Sequence, residues 1–122
     1  MLLTLALLAA LHIAPATDSV PGTWQITGDV AGNPVKATCM IRQSGSTLNG
    51  SCEDATSRPY PLTGEVKDGK VTFQYEVDYQ GQPLTIVYSA TFASPKELKG
   101  TIEVKPMGAT GTFTAISAPA KP

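Results

Sequence analysis

The chain has 122 residues, enough for one domain with one core; a second would need roughly another 100. With 9 Lys+Arg against 10 Asp+Glu, 16% charged and 42% hydrophobic residues, it is too apolar for a disordered chain. It is also too neutral to hold nucleic acid or an anionic membrane surface by charge.

Residues 1–16 read as a targeting signal. Their apolar run contains about a dozen apolar residues, short of the roughly 18–20 that a membrane span needs. The small residues Ala14 and Ala16 flank Pro15 where a signal peptidase reads, so cleavage before Thr17 is expected. The single histidine, His12, would leave with the signal. The mature protein would then lack the commonest general base and the commonest metal ligand, and neither a metal nor a cofactor is expected. The remaining divisions are an arm over 17–21, a β domain over 22–117 and a short tail over 118–122.

Export agrees with the two cysteines, Cys39 and Cys52, which are expected to form a disulfide. Their positions strengthen the pairing. If Gly45-Ser46 is a two-residue hairpin loop, partners across the hairpin have numbers summing to about 91, so Cys39 faces Cys52 directly. Counting back from Ser44 and Thr47 places them in the narrow, non-hydrogen-bonded kind of pair.

From Gly22 onward, apolar residues alternate with polar ones at period two, the signature of half-buried strands. Trp24, Ile26, Gly28 and Val30 form the first run, ended by a turn around Ala31-Gly32. Val35, Ala37, Cys39 and Ile41 form the second, and Leu48, Gly50 and Cys52 the third. Tyr60, Leu62, Gly64 and Val66 lead to an Asp68-Gly69 hairpin signal. Val71, Phe73, Tyr75, Val77 and Tyr79 then give the cleanest alternation, before a turn at Gln80-Gly81. Leu84 to Phe92, Leu98 to Val104 and a last run around Phe113 complete the series.

The expected fold is therefore all-β: about eight antiparallel strands in an up-and-down meander that closes into a small β-barrel. A two-sheet sandwich is the alternative. Leu48-Asn49-Gly50, Leu62-Thr63-Gly64 and Leu98-Lys99-Gly100 make a loose repeat, each with an inward glycine that eases bending or makes room for a bulky neighbour.

Gly22-Thr23-Trp24, opening the first strand of such a meander, resembles the Gly-x-Trp start of the calycins, the lipocalin and avidin-like barrels. The resemblance implies that Trp24 plugs one end of the barrel. Two features depart from the family pattern. The last strand lacks the Arg or Lys that usually covers this tryptophan in lipocalins, and one tryptophan is too few for an avidin-like biotin cage. The chain is also similar in size, export and disulfide to bacterial periplasmic metalloprotease inhibitors, whose inhibitory segment would map onto residues 17–21.

Enzymatic chemistry is not expected. Without a mature histidine and with both cysteines oxidised, no Ser-His-Asp or Cys-His arrangement is available. Glu76 and Asp78 share one strand face, but it is the face expected to meet solvent. What remains is binding. The inward set is aliphatic and uncharged and includes four tyrosines, Tyr60, Tyr75, Tyr79 and Tyr88, as candidate ligand-lining residues. In an open cavity their hydroxyls would orient a neutral, mostly apolar ligand; in a filled core they would be core aromatics with tips at the rim. The expected function is thus an exported, monomeric barrel for a small apolar ligand. The alternatives are a module that binds an exported protein, such as a hydrolase inhibitor, and a structural protein of the cell envelope.

Overall fold

The computed structural model describes residues 19–54 and 58–118. The expected signal segment, His12, the first two residues of the arm and residues 119–122 lie outside the described residues. Eight strands follow one another: β1 (Gly22–Val30), β2 (Asn33–Ser44), β3 (Thr47–Glu53), β4 (Pro59–Lys67), β5 (Lys70–Tyr79), β6 (Gln82–Ser94), β7 (Glu97–Lys105) and β8 (Ala109–Ala118). Each pairs antiparallel with the next, and β8 pairs with β1 from Thr23↔Ala118 to Val30↔Gly111, closing the barrel. Closure gives every strand a neighbour on both sides and rules out the sandwich, although β4 and β5 pair only from Thr63↔Gln74 to Lys67↔Lys70.

The period-two pattern has the expected consequence. Trp24, Ile26, Cys39, Ile41, Leu48, Leu62, Val71, Phe73, Leu98, Ile102 and Phe113 are buried, and among the described residues no polar or charged residue joins them. The turns fix the register. Ala31-Gly32, Asp68-Gly69 and Gln80-Gly81 hold both central residues at positive φ, which matches a type I′ hairpin to the twist of its strands. Ser44 pairs with Thr47 and Cys39 with Cys52, and these two cysteines form the disulfide, with Cα atoms 4.0 Å apart. An intramolecular disulfide belongs to an oxidising environment.

In a meander, successive connections alternate between the barrel's two ends. The Ala31-Gly32 and Gln80-Gly81 turns, the β7–β8 connection, the end of β3 and the start of β4 therefore lie at one end. The Gly45-Ser46 and Asp68-Gly69 turns, the β6–β7 connection, the start of β1 and the finish of β8 lie at the other. We call the first the tyrosine end and the second the closed end.

The repeated glycines have a specific physical cause. Gly64 lies opposite Phe73, and Gly100 lies opposite Phe113 on one side and Ala90 on the other. A Cβ on Gly100 would run into the Ser89 carbonyl and the Ala90 backbone, and one on Gly64 into the Thr72 carbonyl and Phe73. Neighbouring backbone crowds these positions as the wall bends. Gly100→Ala is accordingly expected to cost about 1–3 kcal/mol in urea unfolding, the usual range for overpacking. The exposed neighbour change Thr101→Ala should stay within about 0.5 kcal/mol.

Candidate functional site

The two ends of the barrel differ in how well they cover their apolar residues. At the closed end, Trp24 is 1% exposed and its indole N–H donates to the Val20 carbonyl at 2.7 Å. Phe92 meets the indole edge-on at 6.3 Å between ring centroids. Val20, assigned from sequence to the arm, is itself 1% exposed and part of the core. Its burial takes it out of reach of any partner, and of the arm only Ser19, Val20 and Pro21 are among the described residues. Val20 and Phe92 are thus the groups that sit against the indole.

At the tyrosine end the coverage thins. Val35, Tyr60, Val77, Ile86 and Ala109 are only half-buried, and Tyr79 and Met107 are 57% and 63% exposed. The least covered members of the core, Val30, Ala37, Tyr75, Leu84 and Val104, also lie toward this end. One sequence expectation is corrected here: Tyr79 does not face inward with the other three tyrosines. It is the last residue of β5, immediately before the Gln80-Gly81 turn, where the strand has run past the packed wall and alternation no longer aims a side chain into a core.

The other three tyrosines form one aromatic group running inward from the rim. Tyr60 is held on β4 opposite Cys52, and its hydroxyl donates to Asp54 Oδ2 at 3.4 Å. Its ring stacks on Tyr75 with centroids 5.8 Å apart. Tyr75 and Tyr88, on neighbouring strands, join hydroxyls at 2.7 Å. Tyr88 then stacks on Phe73 at 4.8 Å and meets Phe113 edge-on at 4.9 Å. Aromatic rings thus occupy the middle of the barrel, and accessible apolar surface is left at the mouth rather than deep inside.

Burial pushes both inner hydroxyls above the ordinary tyrosine range. For Tyr75, burial is opposed by the hydrogen bond with Tyr88 and assisted by the negative charge of Asp54. For Tyr88, burial is reinforced by Tyr75. The unfolded chain releases these protons at about pH 10, whereas the folded barrel keeps them. The pair's contribution to stability is therefore full below about pH 10 and is lost as the pH rises above it. The urea midpoint should fall more steeply beyond about pH 10 in the wild type than in Tyr75→Phe/Tyr88→Phe; parallel curves would contradict this.

The pair is also asymmetric. Tyr75→Phe leaves the sealed Tyr88 hydroxyl without its partner and is expected to cost about 1–3 kcal/mol. Tyr88→Phe leaves Tyr75 near the mouth, where its hydroxyl can turn to water, at a cost of about 1 kcal/mol, and the double variant should be milder than Tyr75→Phe alone. A double-mutant cycle in urea gives all three values.

Glu76 and Asp78 are exposed on the outer face of β5. Two depressions also open on the outer wall. One of about 340 Å³ is lined by Glu65, Lys67, Asp68, Lys70 and Thr72. The other, of about 410 Å³, crosses β1, β8 and β7 beside Thr27, Asp29, Lys99 and Thr112. The first is lined by charged and polar side chains, the second also by Gly28, Gly100 and Phe113, and neither includes a tyrosine. Among the described residues, no cluster of three or more His, Cys, Asp or Glu side chains is placed to hold a metal ion, and no helix is long and apolar enough to cross a membrane.

No protein-family model matches the sequence, and no curated protein matches it. Solved structures do match in fold. A redesigned β-barrel superposes with a TM-score of 0.63 at 21% identity, covering 81% of this chain and 91% of its own. Another redesigned barrel, bound to DFHBI, gives a TM-score of 0.58 at 22% identity over 79% of this chain and 96% of its own. A de novo fluorescence-activating β-barrel gives 0.58 at 14% identity, covering 87% of this chain and all 100% of its own. The chain is a small eight-stranded antiparallel β-barrel similar in architecture to these designed barrels.

Proposed function

We propose that the protein is a non-enzymatic, exported, calycin-like barrel that holds a small, mostly apolar molecule at the mouth of its tyrosine end. The observation that carries this reading is the uneven exposure of the core: of the seven partly buried hydrophobics packed against it, Val66 and Phe92 lie toward the closed end and the other five at the tyrosine end. Trp24, Val20, Leu48 and Leu98 are sealed at one end, while Val35, Tyr60, Val77, Ile86 and Ala109 are left half-covered at the other. Apolar surface with a few polar groups among it is the usual lining of a small-molecule site. The DFHBI-bound barrel supports the reading by likeness, since a barrel of the same architecture holds a small ligand. Export is supported by the buried disulfide and by the apolar run over 1–16. A monomer is expected because the closed sheet leaves no full-length strand edge for pairing with a second chain.

Titration with the neutral fluorophore N-phenylnaphthylamine tests this. Wild type should bind the probe, Val77→Lys at the mouth should weaken binding by at least about tenfold, and Ile116→Lys on the outer wall should leave it unchanged. A wild type that takes up no probe, or two variants that behave alike, would overturn the reading.

A further inference from the structure

Two hydroxyls joined by one hydrogen bond use one of their two protons, so the pair has a direction. Tyr88 is 0% exposed and walled in by Phe73 and Phe113. A proton of Tyr88 not given to Tyr75 would have to point into hydrocarbon, at the cost of an unmade hydrogen bond in a dry interior. Tyr75 is the less buried of the two, at 7% exposed, and its ring lies under Tyr60 on the side of the mouth. The satisfied arrangement is therefore Tyr88 donating to Tyr75, which leaves the Tyr75 proton directed outward.

A hydroxyl that already accepts a hydrogen bond is a better donor, because successive bonds polarise one another. The groups around it set what it can donate to. Tyr60 offers a ring face parallel to that of Tyr75, with an interplanar angle of 17°. The half-buried Asp54 places negative charge beside both rings, close enough to act on the Tyr75 hydroxyl. An anionic acceptor would meet that charge, whereas a neutral carbonyl would not.

Resting on the mouth reading above, we propose that the site selects a flat aromatic ligand bearing a neutral hydrogen-bond acceptor, such as an aryl ketone. Its ring lies along Tyr60, and its carbonyl accepts from the Tyr75 hydroxyl, with Tyr88 behind as the polarising donor. The outward Tyr75 proton is the selective element, and the aliphatic rim of Val35, Val77 and Ile86 supplies affinity without choosing between aromatic ligands.

Three probes of matched shape test this: acetylnaphthalene as the ketone, ethylnaphthalene as its acceptor-free counterpart and naphthoate as the anionic acceptor. Affinities are read by calorimetry or probe displacement on variants whose near-ultraviolet circular dichroism shows a folded barrel. Wild type should prefer the ketone over ethylnaphthalene by about tenfold, equivalent to about 1.4 kcal/mol, and should bind naphthoate more weakly than the ketone. Tyr75→Phe should abolish the preference while leaving ethylnaphthalene affinity in place, and Tyr88→Phe should reduce it. If ethylnaphthalene binds but wild type shows no ketone preference, if the preference survives Tyr75→Phe, or if naphthoate binds best, the assignment of the acceptor is overturned. If none of the three binds, it is the mouth reading that fails.

Discussion

Replacing Trp24 with alanine is expected to destabilise the barrel by about 3–5 kcal/mol, the largest effect of any single side chain in the fold. Trp24 heads the fully buried side chains in volume, and its removal would open a cavity where β1, β6 and the segment ahead of β1 meet. The loss has a second component. The indole N–H is the donor to the Val20 carbonyl, so alanine would also release Ser19–Pro21 from the closed end. Trp24→Phe separates the two components: it keeps an aromatic ring against Phe92 but lacks the N–H, and should cost less than the alanine change. Far-ultraviolet circular dichroism in urea gives both values without relying on tryptophan fluorescence. A loss below about 1 kcal/mol for Trp24→Ala would mean that the closed end is not a plug.

The second large effect belongs to the disulfide. Cys39→Ala/Cys52→Ala is expected to lower stability by about 3 kcal/mol, because the bridge closes a loop between residues 13 apart and removes that much freedom from the unfolded chain. The native packing should suffer little, since alanine keeps an apolar atom at two positions that are almost wholly buried. Cys52 also sits opposite Tyr60 across the β3–β4 ladder, so the bridge ties down β3, which leads into Asp54 and pairs with the strand that carries Tyr60. The double variant should therefore show faster amide exchange in the last residues of β3 than in β7, which the bridge does not touch. Stability unchanged in urea, or exchange raised uniformly around the barrel, would contradict this account.

Much of this architecture was legible because β-sheet chemistry is local. Alternation at period two assigned the inner face of every strand, and the Gly45-Ser46 turn fixed the register that brings Cys39 to Cys52. The repeated glycines were legible as inward positions, although the cause lies in neighbouring backbone that no single strand reveals. Three features were not legible, each for a non-local reason. Val20 lies outside any strand, so periodicity assigns it no face; its burial depends on the Trp24 indole four residues later. Tyr79 keeps the alternation of β5 but sits where the wall ends. The meeting of Tyr75 with Tyr88 depends on ring orientation, because the register pairs Tyr75 with Ile86 and sets Tyr88 opposite Phe73. A sequence can show that both tyrosines point inward, but not that their hydroxyls touch.

We propose a barrel that is better covered at one end and takes its ligand at the other. Amide chemical-shift mapping during titration with N-phenylnaphthylamine tests it most directly, because it reports the two ends in one experiment. Shifts should concentrate on Val35, Tyr60, Val77, Ile86 and Ala109 while Val20, Trp24, Leu48 and Leu98 stay unmoved. Shifts centred on Trp24 and Val20, or spread evenly over the outer wall, would contradict it.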